Sequence, residues 1–203
     1  MEGYWFLWSA WFIWIYATFL LNRQHPYRFV IALVTLIQVV VYPFQFQIGE
    51  MMIQGPFFVL GIFLFIWLAR YEIYQKIYFL LTVWITGMFY ASFLFIEVYD
   101  PIWIVLDRRL LFPLLLTISL LLLFKKEESR WAVALMGGGM LGEMLVFTTF
   151  RSVGLPYKVG GSAFLDVLFL TMLFTSISFH LSASMIRLQM KIPLKKEKQI
   201  TYE

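Results

Sequence analysis

The chain has 203 residues, of which 62% are hydrophobic, 20% aromatic and only 14% charged, with a mean hydropathy of +0.80. A soluble domain carries about 25% charged and about 45–50% apolar residues, so the composition excludes an ordinary water-soluble globule and reads as an integral membrane protein. The net charge of +4 fits Lys and Arg gathered in cytoplasmic loops against anionic headgroups, and too little basic surface lies outside the apolar runs for nucleic-acid binding.

No cysteine occurs, which removes disulfides, thiolate metal sites, cysteine nucleophiles and palmitoylation. The opening Met1-Glu2-Gly3-Tyr4-Trp5 has no basic region, and the run after it has no small-x-small cleavage site. The first hydrophobic segment is therefore expected to remain as a helix.

A spanning helix needs about 20 predominantly apolar residues, because lipid offers nothing to an unpaired backbone group. Gly3–Asn22, Phe29–Gly49, Met51–Ala69 and Ile77–Ile96 each lack any charge. Leu110–Phe124 is shorter, covering roughly 22 Å of a roughly 30 Å core, and is expected to draw in part of the preceding segment. Trp131–Phe150 holds one charge, Glu143, and Ala163–Ile186 holds Asp166 and His180. The expectation is an all-α polytopic bundle of about seven spans, with a tight turn at Gly49-Glu50 joining the second and third. One transmembrane domain covers residues 1–190 and a basic cytoplasmic tail covers 191–203. No internal repeat of the kind that builds inverted-repeat transporters is apparent.

Placing the N-terminus outside puts 12 of the 16 Lys and Arg in cytoplasmic loops and the tail, leaving only Arg108, Arg109, Arg151 and Lys158 outside. The positive-inside rule therefore favours N-out, C-in. Lys191, Lys195, Lys196 and Lys198 each add about 1 kcal/mol of attraction to anionic lipid, which anchors the tail.

Glu143 is the most informative residue, because an ionisable group in mid-span costs about 2.5–3.5 kcal/mol and usually faces the bundle interior or a cavity. Two readings stand: a functional carboxylate for proton handling, ion binding or polar substrate contact, or a satisfied buried carboxyl that fixes packing. Asp166, in the first turn after the candidate N-cap Ser162, reads mainly as a capping charge. His180 sits deeper in a stripe with Ser176 and Ser184. Asp166 and His180 share a face within about 40°, but lie about 21 Å apart along the axis. With Glu143 at a third depth, these three polar candidates cannot converge on one metal. A water-bridged proton path from Glu143 towards His180 remains as an alternative.

Gly137-Gly138-Gly139-Met140-Leu141-Gly142 formally matches a dinucleotide fingerprint, but that motif needs a strand-to-helix turn and these glycines lie within an apolar span. Gly138 and Gly142 read instead as a helix-packing pair. Asp107-Arg108-Arg109 forms a charge cluster on the outer surface, either a contact for lipid phosphate or a partner, or a self-compensating helix start. Trp5, Trp8, Trp11 and Trp14 spiral halfway round a helix; the first two suit an interfacial belt and the others deeper packing.

No hydrolase, metalloprotease or P-loop motif occurs, and the last span has no lysine for a retinal Schiff base. No cofactor, bound metal or catalytic residue is expected. The Met1-Glu2-Gly3 opening into an aromatic span, the Asp107-Arg108-Arg109 cluster, the length and the basic tail together resemble the YphA-like family of small membrane proteins of spore-forming Firmicutes. The resemblance implies a bacterial cytoplasmic membrane and a link to spore-envelope formation, and supplies no catalytic residues. The expected function is that of a multi-pass accessory or scaffold protein of the plasma membrane, working through a membrane-protein partner or as a homo-oligomer. A small transporter or proton-coupled channel using Glu143 is the alternative. A membrane-embedded lipid-modifying enzyme is the second.

Overall fold

The computed structural model describes residues 3–24, 26–99, 108–124 and 130–200, giving the backbone alone for 108, 109, 180, 183 and 186–200. Among the described residues the chain forms seven α-helices: α1 Tyr4–Ile15, α2 Arg28–Val41, α3 Gly55–Ala69, α4 Ile73–Tyr99, α5 Arg108–Leu123, α6 Arg130–Ser152 and α7 Ser162–Ile200. Three short strands accompany them: β1 Gln45–Ile48, β2 Met51–Gln54 and β3 Lys158–Val159.

The helices close into a ring in which α1 packs on α2, α2 on α3, α3 on α6, α6 on α4, α4 on α5, α5 on α7 and α7 on α1. Helices α6 and α7 also meet each other, which makes α6 the most enclosed element. Several polar side chains sit within an otherwise apolar interior. Thr35, Gln38, Thr82, Thr86, Thr117, Glu143, Asp166, Thr171 and Thr175 are all buried, while Trp8, Phe19, Phe29, Phe65 and Leu122 are among the most exposed side chains. The large exposed apolar surface suits a lipid solvent, where apolar groups gain nothing by leaving the surface. Thr35, Thr82, Thr117 and Thr171 return their hydroxyls to the preceding turn, as in Thr35 to Ile31 O at 2.7 Å and Thr171 to Val167 O at 2.7 Å, while Thr175 donates across to Thr117 Oγ1.

Among the described residues three helices are long and apolar enough to cross a membrane: Ile73–Tyr99, Arg130–Ser152 and the Ser162–Phe179 part of α7. Tyr4–Leu20, Arg28–Val41, Gly55–Ala69 and Leu110–Leu123 are apolar but shorter. Helix α7 runs on through the basic segment without a break, so the tail at 191–200 continues the last helix.

The strands depart from the all-helical expectation. The two apolar runs meeting at Gly49-Glu50 do not stay helical up to that turn. Pro43 stops α2, Gln45-Phe46-Gln47-Ile48 alternates with strand period, and Pro56 opens α3. Between them β1 and β2 pair antiparallel, Ile48 against Met51. Gly49 takes φ +61 at the first central position of the two-residue turn, where glycine is the favoured residue. β3, from the α6–α7 connection, adds in parallel, Met52 against Lys158 and Ile53 against Val159. A three-stranded sheet thus binds two helix connections at one end of the bundle, called here the sheet end. The Arg151–Glu50 ion pair, 2.8 Å and exposed, adds a further tie between the hairpin turn and α6.

At the other end of α1 the chain loosens into one π-helical turn, Tyr16–Leu20. The Arg28 guanidinium donates to Ala17 O at 3.0 Å and also to Thr18 O, placing a cation where a helix end presents carbonyls.

Candidate functional site

Glu143 lies in α6 nine residues before its end and is 1% exposed. Its carboxylate accepts hydrogen bonds from α4 and from two points of the α6–α7 connection. Tyr90 Oη of α4 and Tyr157 Oη of the α6–α7 connection donate to Oε1 at 2.7 and 2.8 Å, and the Gly160 N–H donates to Oε2 at 2.7 Å. Donors of this kind offset much of the cost of desolvating a carboxylate, because hydrogen bonds to an ionised acceptor are roughly twice as strong as neutral ones. The connection reaches Glu143 because β3 holds it against the hairpin and Gly160 then turns it into α7 beside Phe57. A Cβ on Gly160 would stand 2.6 Å from that of Phe57, so only glycine fits.

Asp166 is 4% exposed and does cap a helix, but not its own. Its Oδ2 accepts the Gly3 N–H and its Oδ1 the Phe6 N–H, both at 2.7 Å. Gly3 is the N-cap of α1 and Phe6 its third residue, so α7 supplies the capping carboxylate that α1 lacks. Gly3 is held at φ +86, and a Cβ there would stand 2.0 Å from the Tyr42 hydroxyl. Phe6, fully buried, stacks on Tyr42 and meets Phe169 edge-on. Ser162 is the first helical residue of α7 rather than its cap: Leu165 N–H donates to Gly161 O at 3.1 Å, which gives Gly161 that position.

Gly138 and Gly142 face α4. A Cβ on Gly138 would meet Thr86 Cβ at 2.5 Å, and one on Gly142 would meet Tyr90 at 2.6 Å and Gly87 O at 3.0 Å. Gly87 answers from α4, with Gly138 O 3.0 Å from its own Cβ position. The close approach of two backbones is what brings Tyr90 within reach of Glu143.

The remaining candidates do not join this site. His180 falls on α7 fourteen residues past Asp166, with its side chain outside the description. Asp107 lies outside the described residues; Arg108 and Arg109 open α5, again without described side chains. Trp11 is exposed, not packed deep as expected, and meets Trp14 edge-on on the bundle exterior. Among the described residues no three of His, Asp and Glu gather as a metal would require.

Beside Glu143 lies a cavity of about 240 Å³, lined by Tyr90, Glu143, Tyr157, Lys158, Ser162 and Phe164 among others. Of these, the sequence marks Glu143 alone as a candidate site residue; Ser162 enters there only as a cap and Lys158 only as an extracytoplasmic charge. Tyr90, Tyr157 and Gly160 stand 53, 14 and 17 residues from it, and none of them belongs to α6, so no periodicity along one element links them to Glu143.

A model of the YphA-like integral membrane proteins matches residues 2–200. The chain belongs to that family. Neither the curated proteins nor the solved structures offer a match. In this YphA-like protein the two buried carboxylates share one task by different routes. Glu143 draws a connection down onto the helices, and Asp166 draws in the first residues of α1. Both accept main-chain N–H groups that would otherwise be buried without partners.

Proposed function

We propose that this YphA-like protein is a non-catalytic accessory or scaffold protein of a bacterial cytoplasmic membrane, crossing it seven times with the N-terminus outside, and acting through a membrane-protein partner or a second copy of itself. The observation that carries this reading is the state of Glu143. The one mid-span carboxylate that a transport or catalytic reading needs already accepts hydrogen bonds from Tyr90, Tyr157 and Gly160, the pattern of a group that fixes packing. Orientation rests on the distribution of Lys and Arg, which makes the sheet end extracytoplasmic. The four shorter apolar helices cross with the help of their flanking hairpin and loops, or where the bilayer thins locally. The family resemblance makes spore-envelope formation the setting in which to seek the partner.

The test is affinity purification of the full chain from membranes in mild detergent. A stoichiometric membrane-protein partner or a defined oligomer is expected; a monomer with no partner contradicts the reading. Transport through Glu143 stays as the second reading because the residue borders a cavity. It predicts a flux that Glu143→Gln abolishes, whereas the scaffold reading predicts a loss of stability alone. Cysteines introduced in this Cys-free chain check the topology: Ser152→Cys should label from outside intact cells and Ser129→Cys only after permeabilisation.

A further inference from the structure

Strand β1 is the outer strand of the sheet, hydrogen-bonded to β2 along one edge only, and its four residues are all exposed. The register decides which main-chain groups the other edge presents, because hydrogen-bonded and non-hydrogen-bonded positions alternate along an antiparallel pair. Gly55 N–H donates to Phe44 O at 2.9 Å, one step beyond the Gln45–Gln54 pair. Phe44, Phe46 and Ile48 therefore turn their N–H and C=O groups to β2, and Gln45 and Gln47 turn theirs to the open edge. Among the described residues nothing pairs with those groups. Natural sheets guard an open edge with charge, proline or a bulge. Gln45–Ile48 holds no charge and no proline, and its register runs without a bulge. The nearest charge in sequence, Glu50, is paired with Arg151.

We propose that β1 pairs antiparallel with β1 of a second copy of this chain, so that two three-stranded sheets join into one of six strands. The open groups choose the register. With Gln45 opposite Gln47 of the second copy, and Gln47 opposite its Gln45, every open N–H meets an open C=O and four hydrogen bonds close. Phe46 then lies opposite Phe46 on the two-fold axis, at a non-hydrogen-bonded pair, where side chains approach most closely and aromatic pairs stabilise. Neither neighbouring symmetric register does this. Gln45 opposite itself puts Gln47 against Pro43, which has no N–H, and Gln47 opposite itself puts Gln45 against Gly49 in the turn. The register that satisfies the edge is symmetric, as a closed contact between like copies requires, and it sets the two Glu50 side chains at opposite ends of the joined strands. The inference deepens the self-association half of the proposed function and rests on it.

The experiment is oxidative cross-linking of the full-length protein in native membranes, with cysteines placed in a chain that has none. Phe46→Cys should form a covalent dimer, since a non-hydrogen-bonded pair sets Cα atoms about 4.5 Å apart, inside the disulfide range of about 4.4–6.8 Å. Phe44→Cys and Ile48→Cys each lie roughly 14 Å from their own counterpart; each alone should stay monomeric, and the two variants expressed together should link. If Phe46→Cys folds poorly, that mixed pair decides. A second set acts through exposed side chains whose main-chain groups β2 does not use. Gln45→Lys with Gln47→Lys sets like charges opposite each other and should cut the cross-linked dimer about tenfold, while Gln45→Lys with Gln47→Glu sets opposite charges there and should restore it. Dimers that follow this pattern support the proposal. No dimer from either Phe46→Cys or the mixed pair, equal yields at all three single positions, or an adduct of Phe46→Cys with a different protein overturns it. A stoichiometric partner of another kind on purification, with no cross-linked dimer, overturns the edge contact and leaves the scaffold reading standing.

Discussion

Two carboxylates account for much of how this chain closes on itself, and each can be removed singly. Glu143→Ala removes the acceptor that two tyrosine hydroxyls and a main-chain N–H share. Hydrogen bonds inside membrane bundles average about 0.6 kcal/mol each, whereas an unpaired buried polar group costs about 1–3 kcal/mol. Between those limits the expected loss is about 2–4 kcal/mol, measured by denaturant unfolding in detergent. Glu143→Gln keeps one acceptor oxygen and should lose about half as much. Asp166→Ala removes the cap of α1; a lost N-cap costs about 0.5–2 kcal/mol. Because the recipients are the first turn of another helix, hydrogen exchange should quicken at Leu7 and earlier and leave α7 unchanged. The sequence made the expense of Glu143 legible, since a charge inside an apolar run is visible at once. It left its relief hidden, because the donors come from α4 and from a connection whose path depends on strand pairing. Its position at a helix start marks Asp166 as a capping residue, but the N-cap of the helix that needs it, Gly3, lies 163 residues earlier.

Among elements, the α4–α6 pair sets the geometry. Its glycines were legible because small residues four apart on an apolar helix have one common use, close backbone approach. Gly138→Ala is the direct test, for its Cβ would overlap Thr86 at 2.5 Å. Overpacking of this kind costs about 1–3 kcal/mol, and the variant should also weaken the Tyr90–Glu143 contact. Gly61→Ala on α3 is the control. The nearest atom there is the flexible end of Met140, at 3.2 Å, and exchanging glycine for alanine in a helix gains up to about 1 kcal/mol, so its stability should hold or rise. The sheet was not legible from charge counting, which treats any uncharged run as one helix. Pro43, the polar–apolar alternation of Gln45–Ile48, Gly49 and Pro56 carried the signal, and each acts through backbone geometry rather than hydropathy. β3 carried almost none, since two residues that pair only with a hairpin a hundred positions away have no local pattern.

At the scale of the whole molecule, a bilayer removes the usual hydrophobic drive between helices, so polar contacts, close backbone packing and the sheet must supply the specificity. Exposed aromatic and aliphatic side chains cover the outside, while threonines and two carboxylates organise the inside. The sheet end is where these features concentrate: the hairpin, β3, the cap of α1, the start of α7 and the Glu143 cavity lie together there. The central claim is that Glu143 holds the α6–α7 connection in place, and the exchange rate of the Gly160 amide tests it most directly. In the full-length protein in detergent that amide should exchange slowly. Loss of a hydrogen bond to a buried carboxylate in Glu143→Ala should speed it by about tenfold or more, with the amides of α4 little changed. A Gly160 amide that exchanges as fast in the native chain as in the variant would contradict the claim.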